Sequence, residues 1–254
     1  MYNIFKFAID YLGGTNLNIA LILSGGIGSR FGENIPKQYM KINDRNVIFY
    51  CMEQFFMHKE IDAVQIVAHR GWYQLIIEGI QKCESRICSN KFRGFSDPGE
   101  NRQLSILHGL EDIKCYASDS DIVMIHDAAR PLISDTMITS SLNAVEGHDG
   151  ALPVVCMKDT VYKSIDGKKI DTLLNRSEIY AGQAPETFRF GKYYAANRAL
   201  LPDRIHEIHG STEPAVMAGM DIVMIPGDEN NIKITTWSDF EHVCELFKTR
   251  TVQE

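Results

Sequence analysis

Short apolar runs alternate with amphipathic stretches along most of this 254-residue chain. Ile19-Ala-Leu-Ile-Leu23 is apolar on both faces, which predicts a strand in the middle of a parallel sheet. Tyr39 to Ile42 predicts a brief strand. Val47 to Met57 carries Val47, Tyr50, Cys51, Gln54 and Phe55 at helical spacing. Ala63 to Ala68 predicts the next strand, Trp72 to Ile80 a helix, and Gln103 to Ile113 a helix with Ile106, Leu107 and Leu110 on one face. Strands are predicted at Asp121 to Ile125, Asp149 to Val155 and Met220 to Ile225. A closing amphipathic helix spans Trp237 to Phe247, capped by Thr236 or Ser238. Strand and helix in alternation imply βαβ units, hence an α/β fold with a Rossmann-like, mostly parallel sheet flanked by helices.

Two segments interrupt that rhythm. Residues 1–17 place Ile4, Phe5, Phe7, Ala8 and Tyr11 on one possible helix face before Gly13-Gly14, an N-terminal extension without assigned function. Val161 to Ile165 and Lys168 to Thr172 flank Asp166-Gly167, a strong hairpin signal. The hairpin forms an inserted arm at about 157–178 within a single domain at 18–250. Its polar positions Tyr162, Ser164, Lys168 and Asp171 leave it no face to bury on itself, and an isolated hairpin is marginal in water.

Composition is that of a soluble globular protein, with a formal net charge of −7. That balance argues against general affinity for nucleic acid or anionic membranes, so an anionic substrate needs a local cluster of Arg and Lys. The six Cys, at 51, 83, 88, 115, 156 and 244, form no C-x-x-C pair. They read as free thiols of a cytoplasmic protein. The first residues lack a secretory signal, and no apolar run approaches membrane-spanning length.

The chemistry concentrates behind the first strand. Ser24, Gly25, Gly26 and Gly28 form a loop whose amides can approach an anion closely, because no Cβ intervenes. Arg30 and Lys37 add positive charge beside it. The bland alternative is a glycine turn with two solvated cations. It is not a dinucleotide fingerprint, because Gly26-Ile27-Gly28-Ser29-Arg30-Phe31 has Phe where the last Gly belongs. It is not a P-loop either, since Gly28 to Gly32 is too short and Glu33 replaces the Lys. Further on, Asp127 follows an apolar run, where α/β sheets place their ligands. Lys233 lies between Ile232 and Ile234, which should fix its position.

The stretch from Ser24 to Gly32 with Pro36-Lys37-Gln38 resembles the start of sugar-nucleotide-type nucleotidyltransferases. Within these it is most similar to the cytidylyltransferases that convert methylerythritol 4-phosphate to CDP-methylerythritol, and to the related ribitol 5-phosphate enzymes. The likeness recurs at Gly99-Glu-Asn-Arg102-Gln-Leu-Ser105, His126-Asp-Ala-Ala-Arg-Pro131, Gln183-Ala-Pro-Glu186 and Gly227 to Thr235. It implies that CTP and a polyol phosphate give a CDP-polyol and pyrophosphate, with Mg²⁺ on the triphosphate. It implies Arg30, Lys37 and Lys233 as catalytic cations, and Ser24, Gly25, Gly26, Gly28, Gly99, Glu100, Arg102, Ser105 and Ala128 around the nucleotide. It implies Asp127, Arg130, Thr160, Arg176 and Thr212 at the acceptor, Asp127 also at the metal, and a homodimer in which each arm completes its partner's site.

Ala184, Glu186 and Pro214 depart from the family's Q-T-P-Q and T-D-[DE]-A-S stretches. Ala128-Ala129 and the Glu33-to-Pro36 spacing favour methylerythritol phosphate, whereas Tyr180-Ala-Gly-Gln183 is nearer the ribitol phosphate enzymes. Two other classes stay open. One is an NAD(P)-dependent oxidoreductase, prompted by Gly26-x-Gly28. The other is a non-catalytic nucleotide-binding protein, prompted by the departures.

Overall fold

The structure, a computed structural model, describes residues 16–26, 35–82 and 90–251. The expected helix before residue 16, Gly28 and Arg30 lie outside them.

β1 (Asn18–Leu23) is the centre of an eight-stranded sheet. After it come the short strands β2 (Lys41–Ile42) and β3 (Arg45–Asn46), then β4 (Ala63–Val67), β5 (Phe92–Ser96) and β6 (Ile122–Asp127). β4 and β6 flank β1 in parallel, and β5 lies parallel outside β4. The register sets Leu23 opposite both Val67 and Asp127. The carboxyl ends of these strands therefore finish on one line. Backbone bonds extend the line, from Ser24 N to the Val67 carbonyl (2.7 Å), from Ala68 N to Ser96 (3.2 Å) and from Ala128 N to Leu23 (3.0 Å).

β7 (Gly150–Cys156) leads to the small pair β8 (Val161–Lys163) and β9 (Thr172–Leu174), then to β10 (Tyr180–Gly182), β11 (Glu186–Arg189) and β12 (Ile222–Pro226). β11 runs antiparallel between β6 and β7, with Glu186 opposite Ile125. Its first residue thus arrives at the edge where the parallel strands end. β10 continues along the same side of β7, and β12 lies parallel on the other.

Alternation along β1 explains its apolar run. Ala20 and Ile22 face helices Val47–Met57, Tyr73–Lys82 and Asp135–Ala144, meeting Ile48, Phe55, Ile76 and Ile138. Ile19 and Leu21 face helices Arg102–Ile113 and Phe190–Arg198, meeting Ile106, Leu110, Phe190 and Tyr193. Both faces are covered, so neither tolerates a polar position.

β5, β10, β11 and the helices Asp135–Ala144 and Phe190–Arg198 were not among the expected elements, and three expected segments differ in form. β6 runs through His126 and Asp127 instead of ending at Ile125, because Leu23 remains available to pair with Asp127. Residues Lys37–Tyr39 form a 3₁₀ turn where a strand was expected to begin. The hairpin has three-residue strands and a wide loop at 164–171. There the Asp166 carboxylate accepts from the amides of Lys168 and Lys169 (2.9 Å each), and Gly167 takes φ +68°, so a side-chain-held turn replaces ladder pairing. The last helix, Trp237–Thr251, starts as expected at Thr236. The Thr236 hydroxyl accepts from Asp239 N (3.2 Å) while Asp239 accepts from Thr236 N (2.7 Å). No helix among the described residues is long and apolar enough to cross a membrane.

Candidate active site

Three cationic side chains converge on Asp127 at the carboxyl edge of the sheet. The backbone of β6 delivers its carboxylate to a position 8% exposed. Arg102, the first residue of its helix, reaches Asp127 Oδ1 through Nε (3.2 Å) and Nη2 (3.1 Å). Lys233 Nζ sits 2.9 Å from Oδ2, and Arg130 Nε 3.8 Å from the same oxygen. Burial by itself would raise the Asp127 carboxyl, but Arg102 and Lys233 outweigh it and hold the acid well below the usual carboxylate range. Burial likewise works against the charge of Arg102, and Asp127 and Glu186 reverse it, so the guanidinium stays cationic.

Each cation is positioned by its own local structure. Asn101 caps the Arg102 helix by accepting from Leu104 N (2.7 Å), which fixes the turn that aims Arg102. Arg130 is pinned by donating to the Asn231 carbonyl (2.5 Å). Lys233 lies in an irregular segment with no strand of its own, and its placement comes from neighbours. Ile234 N donates to the Ala129 carbonyl (2.9 Å), and Asn231 Nδ2 to the Ala184 carbonyl (2.7 Å). Gln183 clamps the same segment both ways, donating to the Asp228 carbonyl (2.9 Å) and accepting from Asp228 N (3.0 Å).

A second carboxylate joins the cluster at Glu186. It accepts from the hydroxyls of Ser211 and Thr212, the latter at 2.6 Å, and lies 3.6 Å from Arg102 Nη2. Ser211 Oγ in turn accepts from Arg102 Nη1 (2.5 Å). Glu186 appeared in the sequence only as a departure from a motif, and Ser211 gave no signal. Their partners lie far away in the chain and meet only through the sheet.

The expected nucleotide loop borders this cluster. Ser24 is buried. Its hydroxyl donates to the Tyr39 hydroxyl (2.7 Å), while Tyr39 donates to the Ser24 carbonyl (3.1 Å). Gln38 Nε2 donates to the carbonyls of Ser24 (2.9 Å) and Gly26 (2.7 Å). With the carbonyls so engaged, the loop cannot rotate them toward an incoming anion. Burial keeps Tyr39 protonated, and its ring stacks on Trp72 at 4.0 Å. Gln38, Tyr39 and Trp72 carried no functional signal beyond the Pro-Lys-Gln run. Lys37 opens the 3₁₀ turn that sets Gln38 and Tyr39.

Across from the loop, a Cβ on Gly25 would fall 2.5 Å from Pro98 Cβ, and one on Gly99 would fall 2.4 Å from Leu104 Cβ. Both glycines are therefore required by close approach. Gly99 N donates to Ser105 Oγ (3.0 Å), which folds the Pro98-Gly99 turn onto the helix start beside the exposed Glu100. Ala128 is buried under β1. His126 is a packing residue: it is fully buried against Phe55, with Nε2 3.1 Å from the Arg130 carbonyl, and burial pushes its pKa down to about 4.

The arm residues lie apart. Thr160 and Arg176 line a hollow of about 450 Å³ with Leu173, Leu174 and Asn175, and Arg176 donates to the Lys158 carbonyl (2.9 Å) within the arm itself. Tyr162, Ile165, Ile170 and Leu173 are exposed there. Magnesium was expected on Asp127. That donor set is one carboxylate already engaged by three cations, and no group of three His, Cys, Asp or Glu among the described residues could hold a metal. The protein alone thus offers a single carboxylate there, and a magnesium ion would draw most of its ligands from substrate phosphates and water.

An open α/β sheet with a glycine loop after β1 and a cation cluster at its carboxyl edge defines an α/β nucleotidyltransferase fold. The chain belongs to the family described as 2-C-methyl-D-erythritol 4-phosphate cytidylyltransferase, whose model matches residues 18–247. It is 33% identical over 232 residues to the bifunctional enzyme IspD/IspF of Paramagnetospirillum magneticum, covering 90% of this chain and 56% of that protein. The chain therefore spans about half the length of that relative. It is 28% identical over 235 residues to the ribitol-5-phosphate cytidylyltransferase of Streptococcus agalactiae, covering 92% of this chain and 97% of the other. The fold is shared with the 4-diphosphocytidyl-2C-methyl-D-erythritol synthase of Anaerococcus prevotii, with a TM-score of 0.78 at 21% identity, covering 92% of this chain and 96% of that one.

Proposed function

We propose that this protein is a cytidylyltransferase that joins CTP to a small polyol phosphate, with 2-C-methyl-D-erythritol 4-phosphate as the acceptor. The observation that carries this is the convergence of Arg102, Arg130 and Lys233 on one buried carboxylate beside the glycine loop. Such a cluster concentrates positive charge in a chain whose net charge is −7. A phosphate oxygen of the acceptor attacks the α-phosphorus of CTP. The new O–P bond forms as the bond to the bridging oxygen breaks, and pyrophosphate leaves with that electron pair. A phosphate monoester is already anionic, so no side-chain base is needed. The protein's work is to hold two anions in line and to offset the charge that develops.

In this assignment Lys37, Lys233 and Arg30 face the transferring phosphate and the leaving pyrophosphate. The Ser24–Gly26 loop, Gly28 and the Gly99–Ser105 turn with Ala128 hold the base and ribose. Asp127, Arg130 and Thr212 meet the acceptor. Magnesium enters as part of the nucleotide substrate. Thr160 and Arg176 serve the neighbouring site of a homodimer, because the arm leaves four large apolar side chains uncovered in the single chain. The reaction belongs in the cytosol, where CTP is made.

Ribitol 5-phosphate is the second acceptor reading. It is favoured by Tyr180-Ala-Gly-Gln183 and by end-to-end coverage of the streptococcal relative. Pyrophosphate release from CTP, UTP, ATP and GTP with each polyol phosphate and Mg²⁺ tests both points. Release that needs CTP and one polyol phosphate is expected. Equal release from ATP or GTP would count against a cytidylyltransferase, and CTP binding without any release would make the chain a nucleotide-binding protein only.

A further inference from the structure

The geometry points to Glu186 as a specificity-determining positioning residue that fixes Thr212 as a hydrogen-bond acceptor, so that the bound polyol must present a hydroxyl donor there. The inference rests on the proposed acceptor class and deepens it.

A carboxylate has only acceptor sites, whereas the Gln found in the family's motif offers both an acceptor and a donor. Glu186 is 9% exposed, and both of its oxygens are in use. Oε1 accepts from Ser211, and Oε2 accepts from Thr212 Oγ1 at 2.6 Å. Each of those hydroxyls has one proton, and each proton is committed to Glu186. Ser211 Oγ also accepts from Arg102 Nη1 at 2.5 Å, which occupies one of its lone pairs and leaves it buried at 2% exposure. Thr212 is only partly buried, and its remaining capacity is two lone pairs. A ligand oxygen without a proton would meet lone pair against lone pair. A ligand hydroxyl would complete the chain from substrate to Thr212 to Glu186 to Arg102 to Asp127.

The rest of the network stops Glu186 from turning away. Arg102 Nη2 lies 3.6 Å from Oε1, the Tyr193 hydroxyl donates to the Ser211 carbonyl (2.7 Å), and β11 fixes the Glu186 backbone opposite Ile125. With Gln at this position, the amide could accept from one hydroxyl only and would donate to the other. That would free a proton to point at the ligand. The change of one atom type therefore reverses the polarity of the pocket wall without altering its shape.

The test is calorimetric binding of methylerythritol 4-phosphate, ribitol 5-phosphate and their single-deoxy analogues. The full chain is loaded with a non-hydrolysable CTP analogue, as wild type, Glu186→Gln and Thr212→Val. One deoxy analogue should bind the wild type at least tenfold more weakly than its parent, as a site left with an unpaired acceptor requires. In Glu186→Gln that ratio should fall below about threefold. Thr212→Val, which keeps the volume, should abolish the same ratio, and it serves alone if Glu186→Gln does not fold. A purely structural role for Glu186 would weaken parent and analogue equally. Equal deoxy ratios in wild type and variants, or no polyol phosphate binding at all, would overturn the inference. Pyrophosphate release read in parallel separates the two claims. Turnover without hydroxyl dependence keeps the reaction and removes the role of Glu186. Hydroxyl-dependent binding without turnover does the reverse.

Discussion

Replacing Asp127 by Asn keeps the shape of the side chain and removes the charge at the centre of the cluster. Arg102, Arg130 and Lys233 then face one another around a neutral amide. Breaking a buried ionic pair by removing one partner costs about 3–5 kcal/mol. At about 2–4 °C per kcal/mol for a chain of this size, the melting temperature should fall by roughly 6–20 °C. The dependence on pH has a definite sign. The folded-state pKa of Asp127 lies below its unfolded value of about 3.9. Its contribution is therefore fully present above pH ~4 and is lost as pH falls through the folded value. The gap in melting temperature between wild type and Asp127→Asn should be flat from pH 5 to 8 and should narrow only on further acidification. Affinity should move the other way. An anion touching Lys233 and Arg102 would lie roughly 5–6 Å from the Asp127 carboxylate, where a unit charge at an effective dielectric of about 20 is worth about 3 kcal/mol. Inorganic pyrophosphate should accordingly bind Asp127→Asn at least about tenfold more tightly by calorimetry. Unchanged melting, or a gap that widens in acid, would refute the electrostatic account of the cluster. Weaker pyrophosphate binding would show that the three cations disperse once their shared partner is lost.

Three further outcomes follow from the geometry. Lys233→Ala and Lys37→Ala should each lower kcat by roughly 10²-fold or more, the usual scale for a transition-state charge stabiliser; near-normal turnover in folded variants would remove both from the reaction. Arg176→Ala should raise KM for the polyol phosphate and leave that for CTP nearly unchanged. Mixed with Lys37→Ala chains it should regain part of the activity if arms act across a dimer, and verified subunit exchange without recovery would assign the arm to its own chain. Gly99→Ala places a Cβ 2.8 Å from the Leu104 carbonyl carbon, so overpacking of about 1–3 kcal/mol should lower the melting temperature and raise KM for CTP several-fold; a wild-type profile would show that the Pro98-Gly99 turn yields easily.

Those strands and helices that were legible are written locally, whereas β5, β10, β11 and the helices Asp135–Ala144 and Phe190–Arg198 were not read from the sequence. Ile19 to Leu23 alternates between two covered faces, and Val47 to Met57 shows its stripe within a few turns. Asp127 was legible as a candidate because an apolar run leads into it at the end of a strand, and Lys233 because it lies between two isoleucines, although that segment forms no strand. Their contact was not, since Lys233 reaches Asp127 from a segment with no periodicity and is held there by Gln183, Asn231 and Ala129. Glu186 was hidden for the same reason. A carboxylate in place of an amide looks like drift in one dimension, and becomes part of a network only once β11 lies beside β6. The hairpin was found but drawn too long, because alternation cannot report that Asp166 captures two backbone amides for itself.

The fastening of the segment that carries Lys233 has a kinetic meaning. Gln183 holds it at Asp228, Lys158 reaches its Glu229 at 2.5 Å, and Ile234 is bonded to Ala129. An ammonium on a free loop would have to be gathered in at every turnover, and that search would add to the activation barrier. If Lys233 acts on the transferring phosphate as proposed, the ordering is completed once, when the chain folds, and its ammonium needs little reorganisation afterwards. Lys158 stands at the root of the arm and Gln183 follows β10. Both therefore tie the segment that carries Lys233 to the neighbourhood of the arm, Gln183 by two hydrogen bonds and Lys158 by an exposed ion pair.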